Sequence, residues 1–164
     1  MLNSEEIQDF EESLGMKFVG CFSKDQLPLP PKKAGDYYVN LEDHDKGNGT
    51  HWTFFKIFDN GKAIYFDPFG VYMPEPVRDF LRPFAPVAVN NRQIQGLTQE
   101  TCGHYCEACA YYMTFDFDKK KTINENFYDF INMFSDNTNS NNKILKEYLL
   151  SNSTNRKYNC GCKR

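Results

Sequence analysis

The chain has 164 residues, a net charge of -3 and a pI near 5.6, which suits one domain with a full core and excludes a global electrostatic footprint for nucleic acid. No apolar run approaches the roughly 20 residues that span a bilayer, and the acidic start Met1-Leu2-Asn3-Ser4-Glu5-Glu6 lacks the apolar region of a signal peptide. An intracellular protein is therefore expected, its six cysteines mostly thiols.

Aromatics make up 16% of the residues, including 15 Phe and 10 Tyr, which promises large buried areas. In chain order, residues 3–14 read as an amphipathic helix with Ser4 as N-cap, Ile7, Phe10 and Leu14 at helical spacing, and Gly15 as its stop. Residues 17–22 suit a short strand, and residues 27–31 a polyproline-like wall or linker. Residues 36–41 form the next expected strand. Residues 42–50 are a polar, glycine-bearing loop in which His44 is read as solvent-exposed.

The clearest strands are residues 51–58 and 62–67, with Asp59-Asn60-Gly61 between them as a hairpin signal. Two registers compete. A two-residue loop sets His51 opposite Gly70 and turns Asp67 to the other face. A three-residue loop, with Gly61 in the left-handed region, sets His51 opposite Phe69. Asp67 then shares its face, one diagonal step away, and diagonal neighbours lie about 7–8 Å apart.

Residues 74–81 suggest a short helix opened by proline. Residues 87–90 and 92–95 suggest one more strand. A helix is expected from Cys102 to about Asp116, with Thr101 as its cap, and another over residues 123–134. Residues 135–142 read as a flexible polar loop, residues 143–150 as a short last helix, and residues 151–164 as a mobile tail. One domain is expected over residues 1–150.

A thiol at a helix N-terminus sits where amide N–H groups point outward, which favours the thiolate nucleophile. Taken alone, Cys102 is a small buried hydrophobe. Its helix-start position and Gly103, which leaves room for another backbone, point instead to catalysis. The Cys102 N–H can serve an oxyanion, and Gln95, seven residues upstream, can aim its amide there. His51 supplies a base and Asp67 its orienter. Cys106 and Cys109 share a helix face but lack a zinc-site spacing, so they read as buried core and no metal or cofactor is expected. His104 reads as lining the cleft edge or facing solvent. Cys160-Gly161-Cys162 is too short for a metal site.

Gly49-Thr50-His51-Trp52, Tyr65-Phe66-Asp67-Pro68-Phe69-Gly70, Gln95-Gly96 and Cys102-Gly103 together resemble the adenovirus-type maturation proteases, the adenain family, over roughly residues 49–110. The order of His, Asp, Gln and Cys is also that of the SUMO-specific proteases. The small size and the Asp-Pro-Phe-Gly element favour a compact viral version such as virophages carry.

The resemblance implies an α+β cysteine-protease fold, a mixed sheet packed against the Cys102 helix. By position, His51 would be the base, Asp67 the orienter, Cys102 the nucleophile and Gln95 the oxyanion donor, with Trp52, Gly49 and Gly103 lining the substrate cleft. It implies a monomer that cleaves capsid and other virion precursor proteins, in the virion or in the host cytoplasm or virus factory, with no membrane partner. The DNA and peptide activators of that family find no support in the acidic charge. Aspartate replaces that family's glutamate and matches the SUMO-protease side. The rival readings are a protease for a ubiquitin-like modifier, an acyltransferase on the same fold, and a non-catalytic capsid-binding module.

Overall fold

In the computed structural model the described residues are 1–47 and 49–159, with side chains through Asn152. The first helix, α1 (Ser4–Ser13), is capped by Asn3 rather than Ser4. Asn3 Oδ1 accepts from the Glu6 N–H at 2.9 Å, and Glu6 Oε2 accepts from the Asn3 N–H at 2.8 Å. Asn3-x-x-Glu6 completes this reciprocal box, whereas a cap at Ser4 would put the apolar Ile7 in the answering position.

Five strands follow: β1 (Phe18–Ser23), β2 (Gly35–Asn40), β3 (Trp52–Ile57), β4 (Ala63–Phe66) and β5 (Ala88–Val89). They form one sheet in the order β1-β2-β3-β4-β5, with parallel edge pairs and antiparallel pairing at the centre. The pleat sends Tyr38, Phe54, Ile64 and Phe66 to one core and Tyr37, Phe55, Ile57 and Tyr65 to another. Helix α2 (Glu75–Leu81) covers the second core with Val77, Phe80 and Leu81. Helices α1, α3 (Cys102–Phe115), α4 (Ile123–Ile131) and α5 (Thr138–Asn159) close the first. The architecture is thus the α+β arrangement expected, a mixed sheet packed against a central helix that opens at Cys102. That helix lies deep because Cys106, Ala108, Cys109 and Ala110 are small and fully buried. Among the described residues no helix is long and apolar enough to cross a membrane.

The hairpin takes the three-residue loop. Phe54 pairs with Phe66 and Ile57 with Ala63, Phe58 and Lys62 close the ladder, and Gly61 has φ +79°. The Gly61 N–H donates to the Phe58 carbonyl at 3.0 Å, which makes the turn.

Several further expectations fail. Residues 92–95 are not a strand, because the Ile94 and Gln95 amides both donate to the Pro68 carbonyl instead of to a ladder, at 3.0 and 3.1 Å. The polar run at residues 135–142 is not a loop throughout. Asn137 Oδ1 accepts from the Asn139 N–H at 3.1 Å, and the last helix starts at Thr138. That helix then runs to Asn159, through most of the span expected to be a tail, while residues 160–164, with Cys160 and Cys162, lie outside the described residues.

Asn141 is the reason this polar run is ordered. It is fully buried, donates to the Ile94 and Ser135 carbonyls at 2.8 Å each, and accepts from the Ser135 N–H at 2.8 Å. Asn141→Ala strands the buried Ile94 carbonyl and unpairs the Ser135 N–H and carbonyl, and is expected to destabilise the fold by about 1–3 kcal/mol, read from the urea midpoint.

Candidate active site

Three elements converge at the C-terminal end of β4 and the start of α3. The β3–β4 register brings His51 and Asp67 together, with His51 Nε2 2.7 Å from Asp67 Oδ1, both side chains buried. His51 also stacks on Phe69, the residue opposite it, at 4.2 Å between ring centroids and 10° between planes. Nε2 is committed to Asp67, so Nδ1 is the ring atom that bonds Cys102.

The Asp67-Pro68-Phe69-Gly70 element does four separate jobs. The Asp67 carboxylate holds the imidazole, and the same Oδ1 accepts from the Phe69 N–H at 2.8 Å. The Pro68 carbonyl receives the Ile94 and Gln95 amides. The Phe69 ring backs the imidazole. Gly70, at φ +69°, leaves space for the chain that carries Gln95: a Cβ there would sit 2.6 Å from the Arg92 carbonyl carbon. Gly70→Ala is therefore expected to destabilise by about 1–3 kcal/mol in urea titration, through both the left-handed backbone and the clash.

Asn90 completes this frame. Its Oδ1 accepts from the Asp67 N–H at 3.0 Å and its Nδ2 donates to the Asp67 carbonyl at 2.6 Å. Sequence reasoning missed it. The available signal was a lone polar residue ending the apolar run Val87-Ala88-Val89.

Cys102 sits at the first position of α3, buried, with its Sγ 3.4 Å from the Trp52 N–H donor. Thr101 occupies the cap position but does not cap. Its hydroxyl donates to Asn142 Oδ1 at 3.0 Å and takes none of the first-turn N–H groups. The Gly103 N–H bonds the thiol instead.

Burial raises the Cys102 thiol, but the bonds from His51 and the Trp52 N–H, together with the imidazolium charge, more than offset it. The net shift lies below an ordinary thiol. Burial likewise pushes His51 down, yet the hydrogen bonds to Asp67 and Cys102 raise it to about 9. Each group favours the charged form of the other.

Of the remaining expected residues, Trp52 and Gly103 adjoin Cys102 through their N–H groups. Gln95 is fully buried and donates from Nε2 to the Gln99 carbonyl at 2.6 Å. Gly49, at φ +94°, donates its N–H to Glu42 Oε2 at 2.7 Å and lines, with Trp52, Ser23 and Asn40, a cleft of about 280 Å³. Gly103 faces the N-terminal segment: a Cβ there would lie 3.0 Å from Leu2 Cβ. The Leu2 carbonyl accepts from Trp52 Nε1 at 2.8 Å, so Leu2 joins both walls beside Cys102, a role the sequence did not announce.

Cys106 and Cys109 read as expected, as buried core, and Cys106 donates to the Trp52 carbonyl at 3.5 Å. His44 is exposed and pairs with Asp25 at 2.6 Å. His104 is half-buried beside Thr101, Asn142 and Leu145, lining an apolar groove on the flank of α3 and α5.

No protein-family model matches the chain, and no curated protein is detectably similar to it in sequence. Among solved structures, the crystal structure of the selenomethionine ASFV pS273R protease matches with a TM-score of 0.37 and 20% identity. The match covers 58% of this chain and 42% of that one. The functional reading therefore rests on the geometry of the site.

Proposed function

We propose that the chain is a cysteine endopeptidase. The observation that carries this is the buried relay from Asp67 Oδ1, 2.7 Å from His51 Nε2, to a thiol that bonds the imidazole, the Trp52 N–H and the Gly103 N–H at a helix start. The Cys102 thiolate attacks the scissile carbonyl. The oxyanion that forms is met by the Cys102 N–H and the Gln95 carboxamide. Imidazolium His51 then protonates the leaving amine. Water, deprotonated by His51, releases the acyl group and restores the thiol pair. Asp67 holds the ring and stabilises its charge throughout.

The substrates proposed are virion precursor proteins cut beside glycines. Support comes from the sequence motifs that resemble adenovirus-type maturation proteases. Incubation with such precursors, compared with a ubiquitin-like fusion and with acetyl-CoA plus an acceptor protein, separates the readings. Precursor cleavage that disappears in Cys102→Ala supports the endopeptidase. Cleavage of the fusion alone, or acetyl transfer, overturns it in favour of the related chemistry.

A further inference from the structure

Gln95 is held in an unusual way. Its side chain is fully buried, Nε2 donates to the Gln99 carbonyl, and Oε1 has no partner among the described residues. The amide orientation is forced, since a carbonyl oxygen can receive only an N–H, and the reverse rotamer would press two oxygens together. One amide hydrogen is thereby fixed, and Nε2 has no second partner among the described residues.

The carbonyl that does this is itself fixed by Gln99's own side chain. Gln99 Oε1 accepts from the Gly96 N–H at 3.0 Å, and the Gln99 N–H returns to the Gly96 carbonyl at 3.0 Å. A side chain at Gly96 would crowd this carboxamide, a Cβ falling 3.0 Å from Gln99 Cδ. The turn at residues 95–99 is thus closed from both ends by one residue, while its N-terminal side is pinned to the Pro68 carbonyl.

We propose that Gln99 is the positioning residue for the oxyanion donor: its backbone carbonyl sets the orientation of the Gln95 amide, and its side chain holds that carbonyl in place. This rests on the endopeptidase reading. Gln99 touches no substrate and acts through Gln95 alone.

The test measures binding of an N-acetylated tripeptide aldehyde ending in glycinal, read as protection of Cys102 from iodoacetamide, together with kcat and KM on a cleaved peptide. The adduct places an oxygen where the oxyanion forms. Gln99→Ala is expected to weaken aldehyde binding and lower kcat by about 10-fold or more, with KM nearly unchanged. Gln99→Glu, which keeps the acceptor for the Gly96 N–H, is expected to restore most of both. Gln95→Ala/Gln99→Ala should be no worse than Gln95→Ala, because the two act as one unit.

A merely structural role would make the two losses add, and would slow direct alkylation of Cys102, which the proposal leaves unchanged. Additive losses, or wild-type binding by Gln99→Ala, overturn the role of Gln99 while the endopeptidase stands. A wild-type protein whose Cys102 neither alkylates at mildly acidic pH nor is protected by the aldehyde overturns both.

Discussion

At about pH 5.5, iodoacetamide is expected to alkylate Cys102 and to leave the other described cysteines unmodified. At that pH an ordinary thiol is thiolate to only about one part in a thousand. Cys106 and Cys109 are pushed far higher still by burial, and Cys21 is pushed up to about 12 by burial against the bond to the Ser4 carbonyl. Cys102 alone moves the other way. His51→Ala removes the imidazolium and is expected to slow labelling, because the thiol pKa rises again and the thiolate fraction at this pH falls. Mass mapping of the alkylated peptide reads the outcome. Labelling that survives His51→Ala would mean the helix start, and not the imidazole, holds the charge.

The two titrations also separate in pH. Cleavage needs the thiolate and the imidazolium together, so it rises through the lowered Cys102 pKa and falls as His51 loses its proton near about 9. Alkylation needs only the thiolate, so it shows no fall at the alkaline limb. A cleavage profile that climbs past that limb would remove His51 as the acid for the leaving group.

The parts of the site legible in the sequence are those set by short-range rules. Asp59-Asn60-Gly61 marks the hairpin and leaves two registers open; Gly61 takes the left-handed position of the three-residue loop, the register in which His51 meets Asp67. The start of α3 was legible for the same reason, since the polar turn before Cys102 ends where small and apolar residues begin.

What escaped reading is set by partners distant in the chain. Thr101 looks like a cap, but Asn142 on α5 competes for its hydroxyl. The asparagine-rich run looks unstructured until Asn141 finds the Ile94 carbonyl. Leu2 carries no motif, yet its carbonyl fixes the Trp52 indole. In each case the partner lies some 40 or more residues away, at 41, 47 and 50 positions respectively, where local propensity does not reach.

Stability should decline as pH rises, and Glu11→Gln should reverse much of that decline. Glu11 lies fully buried on α1, where Oε1 accepts from the Tyr38 hydroxyl at 2.6 Å. Across the sheet Asp36 Oδ1 accepts from Lys56 Nζ at 2.8 Å, and Lys56 also reaches Thr114 on α3. The other oxygens, Glu11 Oε2 and Asp36 Oδ2, have no donor from elsewhere, which a proton carried by Glu11 resolves. Burial first, then the Asp36 charge, raises Glu11 from 4.5 to about 9. The folded state therefore holds a proton that the unfolded chain releases above about 4.5, so it binds more protons throughout that window. Stability is full below the unfolded value and falls by up to about 1.4 kcal/mol per pH unit above it, until the folded group itself ionises.

Glutamine in place of Glu11 keeps an acceptor for Tyr38 and offers Asp36 a permanent donor. The variant is expected to match wild type near pH 4 and to exceed it by several kcal/mol near pH 8, about the sum of that slope. Some decline remains, because burial also raises Asp36, and burial with the Glu6 charge raises Glu107 to about 8. Urea midpoints measured at both pH values decide it. An unchanged slope would mean the two carboxyls do not share a proton. The consequence reaches the site, since α1 carries Leu2 against Trp52 and Gly103. Ionising Glu11 is expected to loosen α1 and with it the Leu2 segment beside Cys102, so alkaline inactivation of wild type should be partly relieved in Glu11→Gln.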